Sequence, residues 1–364
     1  MMVGDSYRLL RLAELRGEPI RVIDIGGIPC EEISDSHRLC RQPLVSVAMI
    51  TYNHARFVRR AIESVVSQKT DFPFELVIGE DCSTDETRAI VLACQQAYPE
   101  VIRVLHAPIN VGASANGLRV DQRCRGRYLA YCEGDDYWID PCKLQEQVRI
   151  LEQDANIGMV FCSGKVERDG VVNDVPVELG FGEWPDDADL RLKLIQGGRI
   201  ITCGLMVRTA DIQAAERENV LLRCEMTLGD LTYWLEALKR PKWRQIHRAM
   251  VVYVLHPQSA CATNITRILR DAALVRYWYC STVPDLRAYA NDMLHTLVFR
   301  RMYVSLLANV SRTQRRRLIW ELVNFARREK VSLTLKEAGL LAIGYFGLYD
   351  LQKKLRPRMK LWLR

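Results

Sequence analysis

The chain predicts an α/β protein whose mainly parallel sheet carries helices on both faces, and three observations support that reading. Apolar runs of strand length recur between Leu44 and Cys162, helical spacings separate them, and the residues just past several runs are polar and largely acidic. Strands alternating with helices at this interval form right-handed βαβ units. In such sheets, ligands bind beyond the carboxyl ends of the strands.

The elements follow in order. Residues 1–42 read as a polar N-terminal extension with a short helical pattern around Tyr7–Leu15. Val45 to Ile50 is a buried-strand run ended by the turn chemistry of Thr51-Tyr52-Asn53. Phe57, Ala61, Ile62, Val65 and Val66 then keep helical spacing. Phe74 to Gly79 is a second strand, stopped by Glu80-Asp81-Cys82. Ser83-Thr84-Asp85-Glu86 has the form of a capping box and predicts a helix to about Tyr98. Ile102 to Leu105 predicts a third strand, Ala113 to Arg123 a helix, Tyr128 to Cys132 a fourth strand, Lys143 to Glu152 a helix and Gly158 to Cys162 a fifth strand.

The 364 residues, 49% hydrophobic and 26% charged, supply ample material for a core. The 12 cysteines show neither a Cys-x-x-Cys pair nor regular spacing, which reads as reduced thiols in a cytoplasmic protein rather than a disulfide framework or zinc site. The N-terminus lacks the apolar core of a signal peptide. The uncharged stretch Ala338–Tyr349 holds 12 residues, short of the roughly 20 needed to span a bilayer. The net charge of +7 is uneven: from Thr263 onward there are 20 Lys/Arg against 7 Asp/Glu, so a mildly acidic body carries a basic tail.

Glu133-Gly134-Asp135-Asp136-Tyr137-Trp138 is the most informative stretch. Adjacent carboxylates repel, and a strand end that keeps such a pair often does so with a cation. Hard oxygen ligands suit Mg²⁺ or Mn²⁺, which commonly complete their shells with substrate phosphate. A solvated turn is the plainer reading of the pair alone. Thr51-Tyr52-Asn53, Glu80-Asp81 and Glu133 to Asp136 would converge on one crevice. No Gly-x-Gly-x-x-Gly follows the first strand and no Gly-Lys-Ser/Thr loop occurs, so an acidic crevice favours a diphosphate held through an ion. Asp81 could accept an N–H from a base edge. Tyr52 could stack on that base or pack on the next helix.

Four ordered blocks, Val47 to Asn53, Gly79 to Asp85, Asn110-Val111-Gly112 and Cys132 to Trp138, resemble those of family 2 glycosyltransferases with the GT-A fold. More narrowly, they resemble bacterial members that build cell-surface polysaccharides. The resemblance covers roughly residues 43–262, leaving 263–364 as a basic helical C-terminal region. It implies a nucleotide-sugar donor, usually a UDP-sugar, with Thr51, Tyr52, Asn53 and Asp81 on the nucleoside side. Asp135 would contact the ribose or metal-bound diphosphate, and Asp136 would ligate the Mg²⁺ or Mn²⁺. Glu133 stands where the first aspartate of Asp-x-Asp is usual, and Ile50 where proline is common.

The resemblance also implies an acceptor-side general base, for which Asp230 in Leu228-Gly229-Asp230 is the candidate. From spacing alone this is an N-cap aspartate. Tyr253-Val254-Leu255-His256 echoes a Tyr-Arg-x-His motif with Val254 in place of arginine. His256 would approach the metal or phosphate, or serve structurally. Gly197 to Thr202 falls where an acceptor-facing segment is usual. The implied reaction is inverting transfer to a glycan or lipid-linked acceptor. The other reading is a catalytically inactive GT-A-like module that binds nucleotide sugar or glycan as a scaffold. Arg315-Arg316-Arg317 and Lys353-Lys354, interleaved with Trp320 and Leu322, suit an anionic bilayer on its cytoplasmic face. A solvated helical face is the plainer alternative, and no recognition motif favours nucleic acid.

Overall fold

The computed structural model describes residues 19–176, 179–225, 230–259, 265–290, 292–293, 320, 324 and 327. The helix expected near Tyr7–Leu15 and nearly all of the basic tail expected at a bilayer lie outside them. In chain order the elements are β1 (Glu31–Ile33), β2 (Val45–Thr51), α1 (Val58–Val66), β3 (Phe74–Glu80), α2 (Thr87–Ala97) and β4 (Ile102–His106). There follow α3 (Ala113–Arg123), β5 (Tyr128–Tyr131), β6 (Tyr137–Trp138), α4 (Lys143–Gln153), β7 (Ile157–Arg168) and β8 (Val171–Asp174). Last come α5 (Leu190–Ile195), β9 (Met206–Arg208), α6 (Thr209–Glu218), α7 (Asp230–Ala237), β10 (Lys242–Leu255) and α8 (Ile265–Thr282).

One sheet runs in the order β1-β4-β3-β2-β5-β9-β7-β10-β6, with β8 paired to β7. Strands β4, β3, β2 and β5 are mutually parallel. β9 is antiparallel to both β5 and β7, so direction reverses twice and β7 runs the same way as β5. β10 is parallel to β7. Six strands therefore point their carboxyl ends at one edge, and the mainly parallel α/β sheet read from the sequence is present.

β2 and β3 are buried along almost their whole length, as strands covered on both faces must be. Val58, Ala61, Ile62 and Val65 form the buried face of α1 and join Val47, Met49, Leu76 and Ile78 in the core. Truncating Ile62 to alanine in that core would cost about 2–5 kcal/mol.

Three details depart from the sequence reading. The helix after β3 begins at Thr87, with Asp85 accepting from the Thr87 amide at 2.9 Å; Ser83 instead accepts from the Asn53 amide at 3.0 Å. The capping box fails because the chain is still turning at Cys82 (φ 57°) to follow the edge of the sheet.

Residues 20–42 are also not separate. Among the described residues, 20–259 belong to one compact unit and α8 to a second. β1 extends the sheet beside β4, and Arg103 donates to Glu32 (2.8 Å) and Glu75 (3.1 Å). A buried guanidinium needs such partners, which ties β1 to the sheet.

The short strands β6, β8 and β9 carry too few residues to show a period and were not expected. Among the described residues, no helix is long and apolar enough to cross a membrane, and every cysteine is unbonded.

Candidate active site

The site grows from the shared strand edge. The Asp81 amide donates to the Thr51 carbonyl at 3.1 Å, and the Gly134 amide to the Ile50 carbonyl at 3.0 Å. The loops after β2, β3 and β5 are thus laced together before any side chain is considered. Gly134 is required here: a Cβ would stand 2.6 Å from Thr51 Oγ1 and 2.7 Å from Thr51 Cβ. β10 brings the fourth strand end, with His256 just beyond it.

Asp135 Oδ2 lies 3.0 Å from His256 Nε2 and 3.8 Å from His54 Nε2. Burial pushes the Asp135 carboxyl up. The His256 hydrogen bond and the charges of both histidines outweigh burial and hold it below the ordinary aspartate value. Burial lowers His54, with the charge of His256 acting in the same sense and that of Asp135 opposing.

Asp136 faces elsewhere. Its Oδ1 accepts from the Val254 amide at 2.8 Å, tying the loop after β5 to β10. Burial, then the charges of Asp135 and Glu133, push its carboxyl well above the usual range. A ligand-type atom of each of Glu133, Asp136 and Cys203 lies within 4.8 Å of the others, a group distinct from His54, Asp135 and His256. Glu133 is pushed up to about 8 by burial and the charges of Asp135 and Asp230. Asp135 and Asp136 therefore belong to two separate groups of ligand-type atoms. The reason is that β6 turns back against β10 immediately after Asp136.

Asp230 opens α7 and accepts from Thr202 Oγ1 at 3.0 Å. Burial raises its carboxyl, opposed by the positive charge of Arg199 and by the Thr202 hydrogen bond. Its charge is felt by Glu133, so Asp230 faces the acidic loop from the 199–202 side.

The nucleoside-side candidates divide. Asp81 is 1% exposed and accepts from the Val111 amide (2.8 Å) and the Gly112 amide (2.9 Å), whose turn needs glycine at φ 88°. Burial nevertheless raises its carboxyl. Asn53, at φ 56°, accepts from the Thr84 amide at 2.8 Å through Oδ1. It fastens the β2 loop to the β3 loop through that oxygen. Thr51 Oγ1 is buried without a partner, and Tyr52 is exposed.

Comparison with known proteins matches residues 46–211 to glycosyl transferase family 2. Similar proteins include an uncharacterized protein of Mycobacterium tuberculosis, 39% identical over 117 residues, which are 32% of this chain and 34% of that one. The chain thus spans about a third of the length of the first curated relatives it matches. The Escherichia coli UDP-Glc:alpha-D-GlcNAc-diphosphoundecaprenol beta-1,3-glucosyltransferase WfaP is 24% identical over 237 residues, 64% of this chain and 86% of the relative. Among solved structures, Staphylococcus aureus TarS 1–349 in complex with UDP-GlcNAc superposes with a TM-score of 0.59 at 17% identity, covering 86% of this chain and 91% of that one. That likeness establishes the GT-A fold.

A divalent cation is implied by this fold family, and the donors at the shared strand edge fit one. His54, Asp135 and His256 each offer a ligand atom within 4.8 Å of the others. Thr51 Oγ1, His54 Nδ1, Glu133 Oε2 and His256 Nδ1 are buried with no hydrogen-bond partner. An orphaned oxygen such as Thr51 Oγ1 or Glu133 Oε2 carries a cost that a bound ligand shell relieves. Sequence reasoning missed His54. Its signal was the position directly after Thr51-Tyr52-Asn53, on the same strand end as residues already singled out.

Proposed function

We propose that the protein is a metal-dependent, inverting glycosyltransferase that moves a sugar from a nucleotide sugar, a UDP-sugar first, to a glycan or lipid-linked acceptor in cell-surface polysaccharide synthesis. The observation that carries this reading is the convergence of Asp135, His256 and Asp230 on one side of a GT-A sheet, within and just beyond a glycosyl transferase family 2 domain. The relatives' names point the same way: WfaP uses UDP-Glc and a diphosphoundecaprenol-linked acceptor, and TarS holds UDP-GlcNAc.

Thr51, Tyr52 and Asp81 form the nucleoside side. Tyr52 offers a ring for stacking, and Asp81 keeps lone pairs beyond its two amides for a base N–H. Asp135 and His256 would hold the cation, with Asp136 bracing their loop through the Val254 amide. When bound there, the cation supplies Lewis-acid stabilisation of the charge that develops on the departing diphosphate. Asp230 takes the proton of the acceptor hydroxyl as its oxygen bonds to the anomeric carbon and the bond to the phosphate oxygen breaks. General-base help of this kind contributes about 10²–10⁴-fold. Val254 leaves the motif without its arginine, so any help that residue gives the diphosphate would come from elsewhere.

The test is turnover by the purified full chain of a panel of UDP-, GDP- and dTDP-sugars with Mn²⁺ or Mg²⁺, offering diphosphate-lipid and oligosaccharide acceptors. Metal-dependent release of one nucleoside diphosphate is expected. Binding without transfer across the acceptor panel would favour a scaffold role instead.

A further inference from the structure

We propose that His54 is a third protein ligand to the divalent ion and that its imidazole makes the site select Mn²⁺ over Mg²⁺. This inference rests on the metal reading of the site above and adds to it a residue and a selectivity.

His54 Nε2 and His256 Nε2 approach the same oxygen, Asp135 Oδ2, at 3.8 and 3.0 Å. The two rings meet edge to face, their centroids 6.1 Å apart. Two imidazoles therefore flank one carboxylate oxygen, rather than one imidazole lying beyond a carboxylate pair. The second carboxylate, Asp136, is turned away to the Val254 amide.

The placement of His54 is rigid. Its carbonyl accepts from the amides of Phe57 (2.8 Å) and Val58 (2.9 Å), fixing the backbone at the start of α1. Asn53 is locked to Thr84, and the Ala55 amide donates to Asp85 Oδ2 at 3.1 Å. On the other side the Phe57 ring packs on His256, with centroids 4.6 Å apart. Both donors are held by neighbours on either side, the condition for a preorganised ion site.

The ligand chemistry then sets the preference. Mg²⁺ takes oxygen ligands, holds a strict octahedron and gives up water reluctantly. A single imidazole beside a carboxylate leaves most positions for water and phosphate oxygen and discriminates little. A second imidazole replaces an oxygen donor with nitrogen, which a transition-metal ion such as Mn²⁺ accepts more readily than Mg²⁺ while still taking carboxylate and phosphate oxygens.

The experiment uses the full chain with Mn²⁺ and Mg²⁺ as probes, with and without UDP. Titration calorimetry gives the ratio of the two affinities, and pulsed EPR of bound Mn²⁺ counts coupled imidazole nitrogens. The parent protein is expected to show two imidazoles and a preference for Mn²⁺. His54→Phe keeps a ring and removes the donors; it should show one imidazole and lose at least about tenfold in Mn²⁺ affinity, with Mg²⁺ affinity much less affected. A single imidazole in the parent protein overturns the inference without requiring the variant to fold. An unchanged affinity ratio in a folded His54→Phe overturns it too. Failure of the parent protein to bind either ion at all would overturn the metal reading itself, a result distinguishable from both.

Discussion

Asp135 and His256 meet through a 3.0 Å contact that joins the loop after β5 to the end of β10 across 121 residues of sequence. Asp136, the next residue, instead braces that same strand through the Val254 amide. The adjacent carboxylates thus face different partners, and under the proposed function this gives contrasting expectations. Asp135→Asn should remove Mn²⁺ binding and sugar-nucleotide turnover with little change in melting temperature. Asp136→Ala strands a buried N–H and should destabilise the fold by about 1–3 kcal/mol, read as a lower denaturation midpoint. Asp136→Asn keeps an acceptor oxygen and should recover most of that loss.

Asp230 must be ionised to accept a proton, and burial raises its carboxyl. Transfer should therefore rise with pH through a value above that of ordinary aspartate. Arg199 lowers that value by its charge, so Arg199→Gln should move the rising limb to higher pH. Asp230→Asn should keep donor binding, measured by calorimetry, and lose about 10²–10⁴-fold in rate. Loss of donor affinity instead would make Asp230 a donor ligand.

Behind the site, Asp121 of α3 and Glu216 of α6 are buried against each other, with Tyr131 and Tyr233 donating to them at 3.4 and 2.8 Å. Burial, joined for Asp121 by the charge of its partner, raises both carboxyls, Glu216 to about 7. The folded state therefore holds protons that the unfolded chain releases. This contribution is complete below the unfolded pKa and is lost as pH rises toward the folded value, with a slope of up to about 1.4 kcal/mol per pH unit per proton. Denaturant midpoints should fall between roughly pH 5 and 7, and Glu216→Gln should flatten that dependence.

Gly134→Ala forces a methyl group to within 2.6 Å of Thr51 Oγ1 and 3.1 Å of His54 Nδ1. Overpacking of this kind costs about 1–3 kcal/mol. Because the loop carries Asp135, Mn²⁺ affinity should fall together with stability, whereas a purely global effect would lower the melting temperature alone.

The apolar runs of β2, β3, β4 and β5 and the polar residues ending them were legible because strands buried on both faces have a local signature. The candidate positions could be read for the same reason, Thr51 and Asp81 lying one and two residues past those runs and Asp135 and Asp136 three and four past Cys132. The start of α2 was misread because Ser83 and Asp85 serve contacts with the loop after β2, 30 residues away. The Asn53 oxygen is likewise committed to Thr84, a contact with no local signature in the chain.

Residue order by itself determined the alternation of strands and helices and the acidic character of their tips. Three-dimensional packing decided which tips meet. The antiparallel β9, three residues long, restores the direction of β7 and β10 and so delivers His256 to Asp135. That pairing is set by backbone hydrogen bonds between distant segments, which leave no local pattern in the chain.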